Sequence, residues 1–389
     1  MDKFKILTLN NISPRGLERL PLERYEITSE TASPDGIILR SYNMHEMDIP
    51  ESLIAVGRAG AGVNNIPVDK LSGLGIPVFN APGANANAVK ELVLAAMLIG
   101  CRNICQARDF VRGLEGDNAT LATAVEQGKK QFGGFELPGR TLGVIGLGAI
   151  GVQVANAARA LGMNVIGFDP SITVRRAWEL SSEVQSAQSV DELLSKSDFI
   201  TFHVPLIDST RGLINEQSLK LMKDNVVIVN FARKGIVDDE AVLKGLESGK
   251  IYSYVCDFPT NELIAHPRAI TLPHLGASTR EAEDNCAIMV AEELRDFLEN
   301  GVIRNSVNFP EISLDRSGES RIVIINENRP DMLGQISHEL GSAGLNIDHM
   351  RNESRGDLAV TLVDIDATVE DGCCSQLAAI DGVLKVRVV

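Results

Sequence analysis

One segment constrains the fold more than any other: residues 141–170, TLGVIGLGAIGVQVANAARALGMNVIGFDP. An apolar, β-branched run ends at Ile145. Three glycines follow as G-x-G-x-x-G at Gly146, Gly148 and Gly151, then an Ala-rich stretch without proline, then a second apolar run ending at Asp169. That order predicts strand, tight turn, helix, strand. Gly146 permits the turn, Gly148 lets backbone approach a pyrophosphate, and Gly151 lets helix and strand pack closely. The helix N-terminus then offers free N–H groups to phosphates. A glycine triplet alone is weak, because Gly-rich turns are common, and its context supplies the specificity. Asp169 stands 18 residues after Gly151. A carboxylate there accepts from both ribose hydroxyls and repels a 2′-phosphate, which favours NAD over NADP. The competing readings are a structural turn Asp before Pro170, and an NADP site using Arg175 and Arg176.

The rest of the chain repeats this alternation. Residues 1–90 hold FKILTL, DGIILRS, LIAVGRAGAGV and IPVFNAP, read as strands separated by helices. Residues 87–112 read as one long, mostly buried helix with Asn87 as N-cap and Glu91 in its first turn. Between 140 and 284, TLGVIG, MNVIGFD, DFITFHVP, NVVIVNF, IYSYVCDF and AITLPH are apolar runs with helical connections, which fits a parallel sheet covered on both faces. Residues 279–300 form an acidic amphipathic helix ending near Gly301, and 305–320 read as a polar linker. Beyond it, the order β-α-β-β-α-β over about 70 residues predicts a ferredoxin-like module. The expected fold class is therefore α/β: two Rossmann-like doubly wound domains plus a C-terminal ferredoxin-like α+β domain. The expected divisions are 1–90 with 285–310, then 91–284, then 318–389.

Charge and composition narrow the function. The net charge of −15 argues against a nucleic-acid binder, which needs a basic face. Any anionic ligand must be held by locally concentrated positive charge. The six cysteines form no C-x-x-C pair and no His clusters with them, so no zinc spacing is visible. The longest apolar stretch, Leu92 to Cys101, is half of what a membrane span needs. The N-terminus alternates like a strand, not like a signal peptide, so a cytoplasmic location is expected.

Three segments fall at the ends of later strands, where open α/β sheets place ligands. They are NFARKGIVDDEAV with Arg233, CDFPTNE with Asp257 and Glu262, and LPHLGAST with His274. Oxidising an alcohol by hydride loss needs a base near neutral pKa for the hydroxyl proton, and histidine fits. A carboxylate can orient the imidazole, and a guanidinium can clamp a carboxylate through two parallel hydrogen bonds. Arg, Glu and His thus suffice for a 2-hydroxy acid. The competing reading of His274 is a satisfied structural histidine. His203, in FHVPL, is the other histidine at a strand end in this region.

GLGAIG with Asp169, HVPL, STRGLIN, the Arg233 segment, CDFPTNE and LPHLGAST, in that order, resemble the D-isomer-specific 2-hydroxyacid dehydrogenases. VGRAGAGVNNIPVD and FNAPGANANAVKELVLAAMLI are similar too, so the resemblance covers nearly the whole chain. It implies NAD as cofactor, His274 as acid/base, Glu262 as its partner and Arg233 as the carboxylate clamp. It implies cofactor contacts from the turn that includes Ala149 and Ile150, from His203, Val204 and Pro205, and from Ala232. Asp257 would meet the nicotinamide end, near Gly276 and Ala277. Gly60, Ala61 and Gly62 would offer backbone N–H groups to the substrate carboxylate, and Arg40 and Arg58 would hold a phosphate. Lys129 and Lys130 match a basic pair that in relatives reaches across a dimer interface; a solvated turn is the alternative. Lys234 and Cys256 depart from the family pattern without removing a catalytic group. The tail looks like an ACT module, in which Asn328 and Asn346 match serine-binding asparagines. Asn326 stands where serine-responsive relatives carry His. The implied activity is oxidation of 3-phospho-D-glycerate to 3-phosphohydroxypyruvate, the first step toward L-serine, by a homodimer or homotetramer with L-serine as effector. The alternatives are a glyoxylate or hydroxypyruvate reductase, and a non-catalytic NAD-sensing protein.

Overall fold

The computed structural model describes residues 3–389. They divide into two compact units, one comprising residues up to 84 together with 280–389, the other residues 85–279. In the first, strands β1 (Phe4–Leu9), β2 (Tyr25–Thr28), β3 (Gly36–Leu39), β4 (Ala55–Arg58) and β5 (Val78–Asn80) form a parallel sheet in the order β2-β1-β3-β4-β5. β3 is GIIL and wholly buried, as a central parallel strand covered on both faces must be. The helix Arg280–Asn300 packs here through Cys286, Val290, Leu294 and Phe297, spaced at helical period. It ends at Gly301, whose φ of 68° is the left-handed C-terminal stop. The strand order reverses between β1 and β3, and Arg40 directly follows β3.

The second unit holds seven parallel strands: β6 (Thr141–Ile145), β7 (Asn164–Phe168), β8 (Gln185–Ser186), β9 (Phe199–Phe202), β10 (Val226–Asn230), β11 (Ile251–Cys256) and β12 (Ala269–Thr271). Their order, β12-β11-β10-β9-β6-β7-β8, is that of a dinucleotide-binding sheet, with its switch point between β6 and β9. Ligands bind such sheets outside the carboxyl ends of the strands at that point.

The tail forms an antiparallel sheet, β13 (Ser320–Glu327), β14 (Ile347–Arg355), β15 (Leu358–Ile365) and β16 (Val383–Val388), ordered β14-β15-β13-β16. With the helices Met332–Ser342 and Asp371–Ala378 this is the expected ferredoxin-like module. One sheet face buries Ile322, Ile324 and Val363 against Ile336, Leu340 and Leu377. The other, through Val323, Ile325, Val360 and Leu362, joins the core that contains Phe297 and Leu298. Between β13 and β15, Arg321 and Asp364 are 1% and 0% exposed and meet through paired bonds of 2.6 and 2.8 Å. Arg321 Nη1 also donates to the Asn300 carbonyl at 3.2 Å, at the end of the long helix.

Three local expectations are corrected. The helix expected over 87–112 is two, Ala86–Cys101 and Ile104–Arg112. Asn103 breaks it with φ of 51°, held there because its Nδ2 donates to Tyr252 Oη at 2.7 Å and to the Gly133 carbonyl at 3.2 Å. The residue before the first helix is Asn85. Asn87 lies inside it and donates to Glu91 Oε1 at 2.8 Å. The 305–320 segment is not a free linker. Phe309 and Ile312 are buried, and Asn308 Oδ1 accepts from the Val78 amide at 2.9 Å. No disulfide joins any of the six cysteines among the described residues. No helix among the described residues is long and apolar enough to cross a membrane.

Candidate active site

The glycine turn follows β6. Gly146 has φ of 92°, and a Cβ there would stand 2.6 Å from the His203 carbonyl; one on Gly151 would stand 1.9 Å from the Gly146 carbonyl. A Cβ on Gly148 would meet nothing within 4 Å, so the turn is open where a pyrophosphate must approach, and Gly148 caps the helix Ala149–Ala160. Asp169, just past β7, accepts from the Leu147 amide through Oδ2 and from the Ser171 amide through Oδ1, both at 2.8 Å. It therefore fixes the shape of the turn. Arg175 and Arg176 both pair with Glu179 on their own helix. The glycine turn and Asp169 fit an adenine dinucleotide with free ribose hydroxyls, because a 2′-phosphate would meet the Asp169 carboxylate.

The ends of β9 to β12 bring the remaining groups of this unit. His203 donates its backbone N–H to the Ile145 carbonyl at 2.7 Å, and its Nε2 lies 3.2 Å from Thr201 Oγ1. Burial pushes its pKa down to about 3, so the ring stays neutral and unsuited to proton transfer near pH 7. Val204 is half-buried, and Pro205 lends its carbonyl to Thr210 Oγ1. Arg233 is exposed and donates through Nη1 to the Ala232 carbonyl at 2.7 Å. Asp257 is 2% exposed with neither carboxylate oxygen partnered. Burial raises its pKa, opposed by the neighbouring His274, by the backbone N–H groups of Gly276 and Asp257, and by Arg233. A buried carboxylate with acceptor capacity to spare suits a ligand that brings an N–H pair, as a carboxamide does. The buried Gly276 faces this carboxylate, and Ala277 follows half-buried.

His274 sits in the left-handed region at φ of 47° and is exposed. Its ring packs edge-on against Phe258, centroids 5.4 Å apart. Glu262 lies in the first turn of the helix Asn261–Ala265, and no hydrogen bond or ion pair joins it to His274. The sequence reading missed Phe258 as the wall of the imidazole, and it missed Asn230, which holds the Arg233 loop. The only signal for Asn230 was a polar residue closing an otherwise apolar strand.

In the first unit, Arg40 Nη1 pairs with Glu283 Oε1 at 2.8 Å, and Arg58 Nε donates to the Arg40 carbonyl at 3.1 Å. Gly60 has φ of 154°, the Ala61 carbonyl accepts from Asn80 Nδ2 at 2.6 Å, and Gly62 is half-buried. Lys129 pairs with Glu126, and Lys130 is exposed beside it. In the tail, Asn328 Nδ2 donates to the Gly356 carbonyl at 3.0 Å and Asn346 Nδ2 to Asp366 Oδ2 at 3.3 Å. Asn326 is 1% exposed with Oδ1 unpartnered.

Residues 94–276 match the NAD-binding domain of the D-isomer-specific 2-hydroxyacid dehydrogenases. A D-3-phosphoglycerate dehydrogenase of Haemophilus influenzae is 34% identical over 367 residues, which is 91% of this chain and 85% of that protein. The chain belongs to the D-isomer-specific 2-hydroxyacid dehydrogenases. Its cofactor is NAD. A D-3-phosphoglycerate dehydrogenase of Methanocaldococcus jannaschii is 36% identical over 334 residues; there the match is 84% of this chain but 61% of the relative's length. Among solved structures of the family, the NAD-bound 3-phosphoglycerate dehydrogenase of Entamoeba histolytica aligns with a TM-score of 0.62 at 26% identity, over 79% of this chain and 99% of that one.

Proposed function

We propose that this chain is an NAD-dependent dehydrogenase that oxidises 3-phospho-D-glycerate to 3-phosphohydroxypyruvate. The observation that carries the reading is a match to 3-phosphoglycerate dehydrogenases that runs through both the dehydrogenase region and the tail. The glycine turn at Gly146–Gly151 and Asp169 would hold NAD, which would supply the hydride acceptor for C2 of the substrate. His274 takes the hydroxyl proton. Arg233 clamps the substrate carboxylate and polarises the developing carbonyl. Glu262 pairs with the imidazolium once ligand is held; catalytic hydrogen bonds often tighten only in the complex. Asp257 accepts from the carboxamide, and Asp169 from the ribose. Backbone N–H groups of Gly60, Ala61 and Gly62 receive the substrate carboxylate. Arg40 and Arg58 take the phosphate, Arg40 leaving Glu283 to do so.

The reading extends to a cytoplasmic homodimer or homotetramer in which L-serine acts at Asn328 and Asn346 of the tail. Absorbance at 340 nm with NADH tests the reading. The expected result is a kcat/KM for 3-phosphohydroxypyruvate about 10²–10³-fold above that for hydroxypyruvate, because the phosphate adds charge-assisted hydrogen bonds from two guanidinium groups that a hydroxyl does not make. L-serine at millimolar concentration is expected to slow the reaction. A preference for hydroxypyruvate or glyoxylate would move the assignment to a reductase of those acids. Absent turnover on all of them, with NADH bound, would leave an NAD-binding protein.

A further inference from the structure

Inside the second unit, a chain of buried polar groups underlies the loop that carries Arg233. Asn230 closes β10 and is 1% exposed, after the wholly buried run VVIV. Its carboxamide is spent on that loop: Oδ1 accepts from the Ala232 amide and Nδ2 donates to the Arg233 carbonyl, each at 3.1 Å. Tyr254 of β11, 2% exposed, stands two residues before Cys256 and so on the same sheet face, opposite Ile228 and diagonal to Asn230, and its buried hydroxyl is influenced by both Asn230 and Cys256. Asn230 and Cys256 are register partners on adjacent strands. Cys256 Sγ in turn lies 3.9 Å from the Phe258 carbonyl, and the Phe258 ring walls His274. Polar groups at such depth cost stability unless satisfied, and isosteric apolar side chains would fill the space. What these groups do reach is the backbone on either side of Arg233, whose guanidinium is exposed and ends a long flexible side chain.

We infer that Asn230 and Tyr254 are positioning residues for Arg233: they tie the Ala232–Arg233 segment to the end of β10 so that the guanidinium meets the substrate carboxylate in one orientation. The inference rests on the role proposed for Arg233. Displacement of a clamp by about 1 Å can cost on the order of 10²-fold in rate.

The test is a double-mutant cycle on the full chain, reading kcat/KM for 3-phosphohydroxypyruvate and the dissociation constant of NADH. Asn230→Ala should lower kcat/KM about 30–100-fold, and Tyr254→Phe about 3–10-fold, with NADH affinity within about twofold of the parent. In an Arg233→Ala background, each should cost less than about twofold, because the group they position is gone. Equal losses in both backgrounds, or no loss in the parent, would overturn the inference. Tyr254→Phe keeps the ring's packing and reads the same coupling if Asn230→Ala folds poorly. If Arg233→Ala alone leaves kcat/KM unchanged, the assigned clamp is wrong and the positioning role falls with it. Loss of activity in Arg233→Ala together with additive effects leaves the clamp standing and removes only the positioning role.

Discussion

His274→Ala is expected to lower kcat by about 10²–10⁴-fold while changing the NADH dissociation constant less than about twofold. The split follows from where the groups lie. The turn at Gly146 and the Asp169 carboxylate that braces it follow β6 and β7, whereas His274 follows β12 at the opposite end of the sheet order. The one other histidine at a strand end here, His203, is held neutral by burial and bonded to Thr201, so it cannot substitute. Asn at position 274 should be as inactive as Ala, because it fills space but takes no proton. A loss of kcat below about fivefold for His274→Ala would assign proton transfer elsewhere.

Arg321→Met is expected to destabilise the protein by about 3–5 kcal/mol, because it leaves the Asp364 carboxylate buried without its cation. The pair is fully enclosed, bonded twice, and further satisfied by Ser317, whose amide donates at 3.0 Å. Melting should fall by about 10 °C. Arg321→Met combined with Asp364→Leu should recover most of the loss, since an apolar pair of similar volume carries no desolvation cost. Burial raises the Asp364 pKa, but the bonds from Arg321 and Ser317 outweigh it and hold the group below its ordinary value. The pair's contribution is therefore fully present above about pH 4 and is lost as the pH falls through the lower folded value. Calorimetry decides this. A single-variant cost under about 1 kcal/mol would mean that the buried pair is unimportant to the tail's seating on the helix Arg280–Asn300.

Much of the architecture was legible because backbone geometry demanded particular residues. Gly146 and Gly151 stand where a Cβ collides with main chain, and Gly301 stands where the helix must stop. The tail's strand–helix order carried its fold because each element shows its own period. Asn103 was unreadable as a helix break. Its left-handed conformation is held by Tyr252, 149 residues away in the chain. Asn230 was missed because nothing local shows that its carboxamide returns to Ala232 and Arg233. Arg321 sits at the start of a strand where charge usually means solvent, and only the register with β15 places Asp364 opposite. Residue types and strand ends gave the Arg, Glu and His set, but spacing does not encode rotamers. That is why the Glu262–His274 pairing could be expected from sequence and yet is not made in this structure.

The most direct measurement follows an isotope. The purified protein is incubated with NAD and 3-phospho-D-glycerate deuterated at C2, and the reduced cofactor is weighed by mass spectrometry. Reduced cofactor one mass unit heavier, formed with 3-phosphohydroxypyruvate in equal amount and absent in His274→Ala over the same interval, is the predicted result. Unlabelled reduced cofactor, or none from the unaltered protein, would contradict the account.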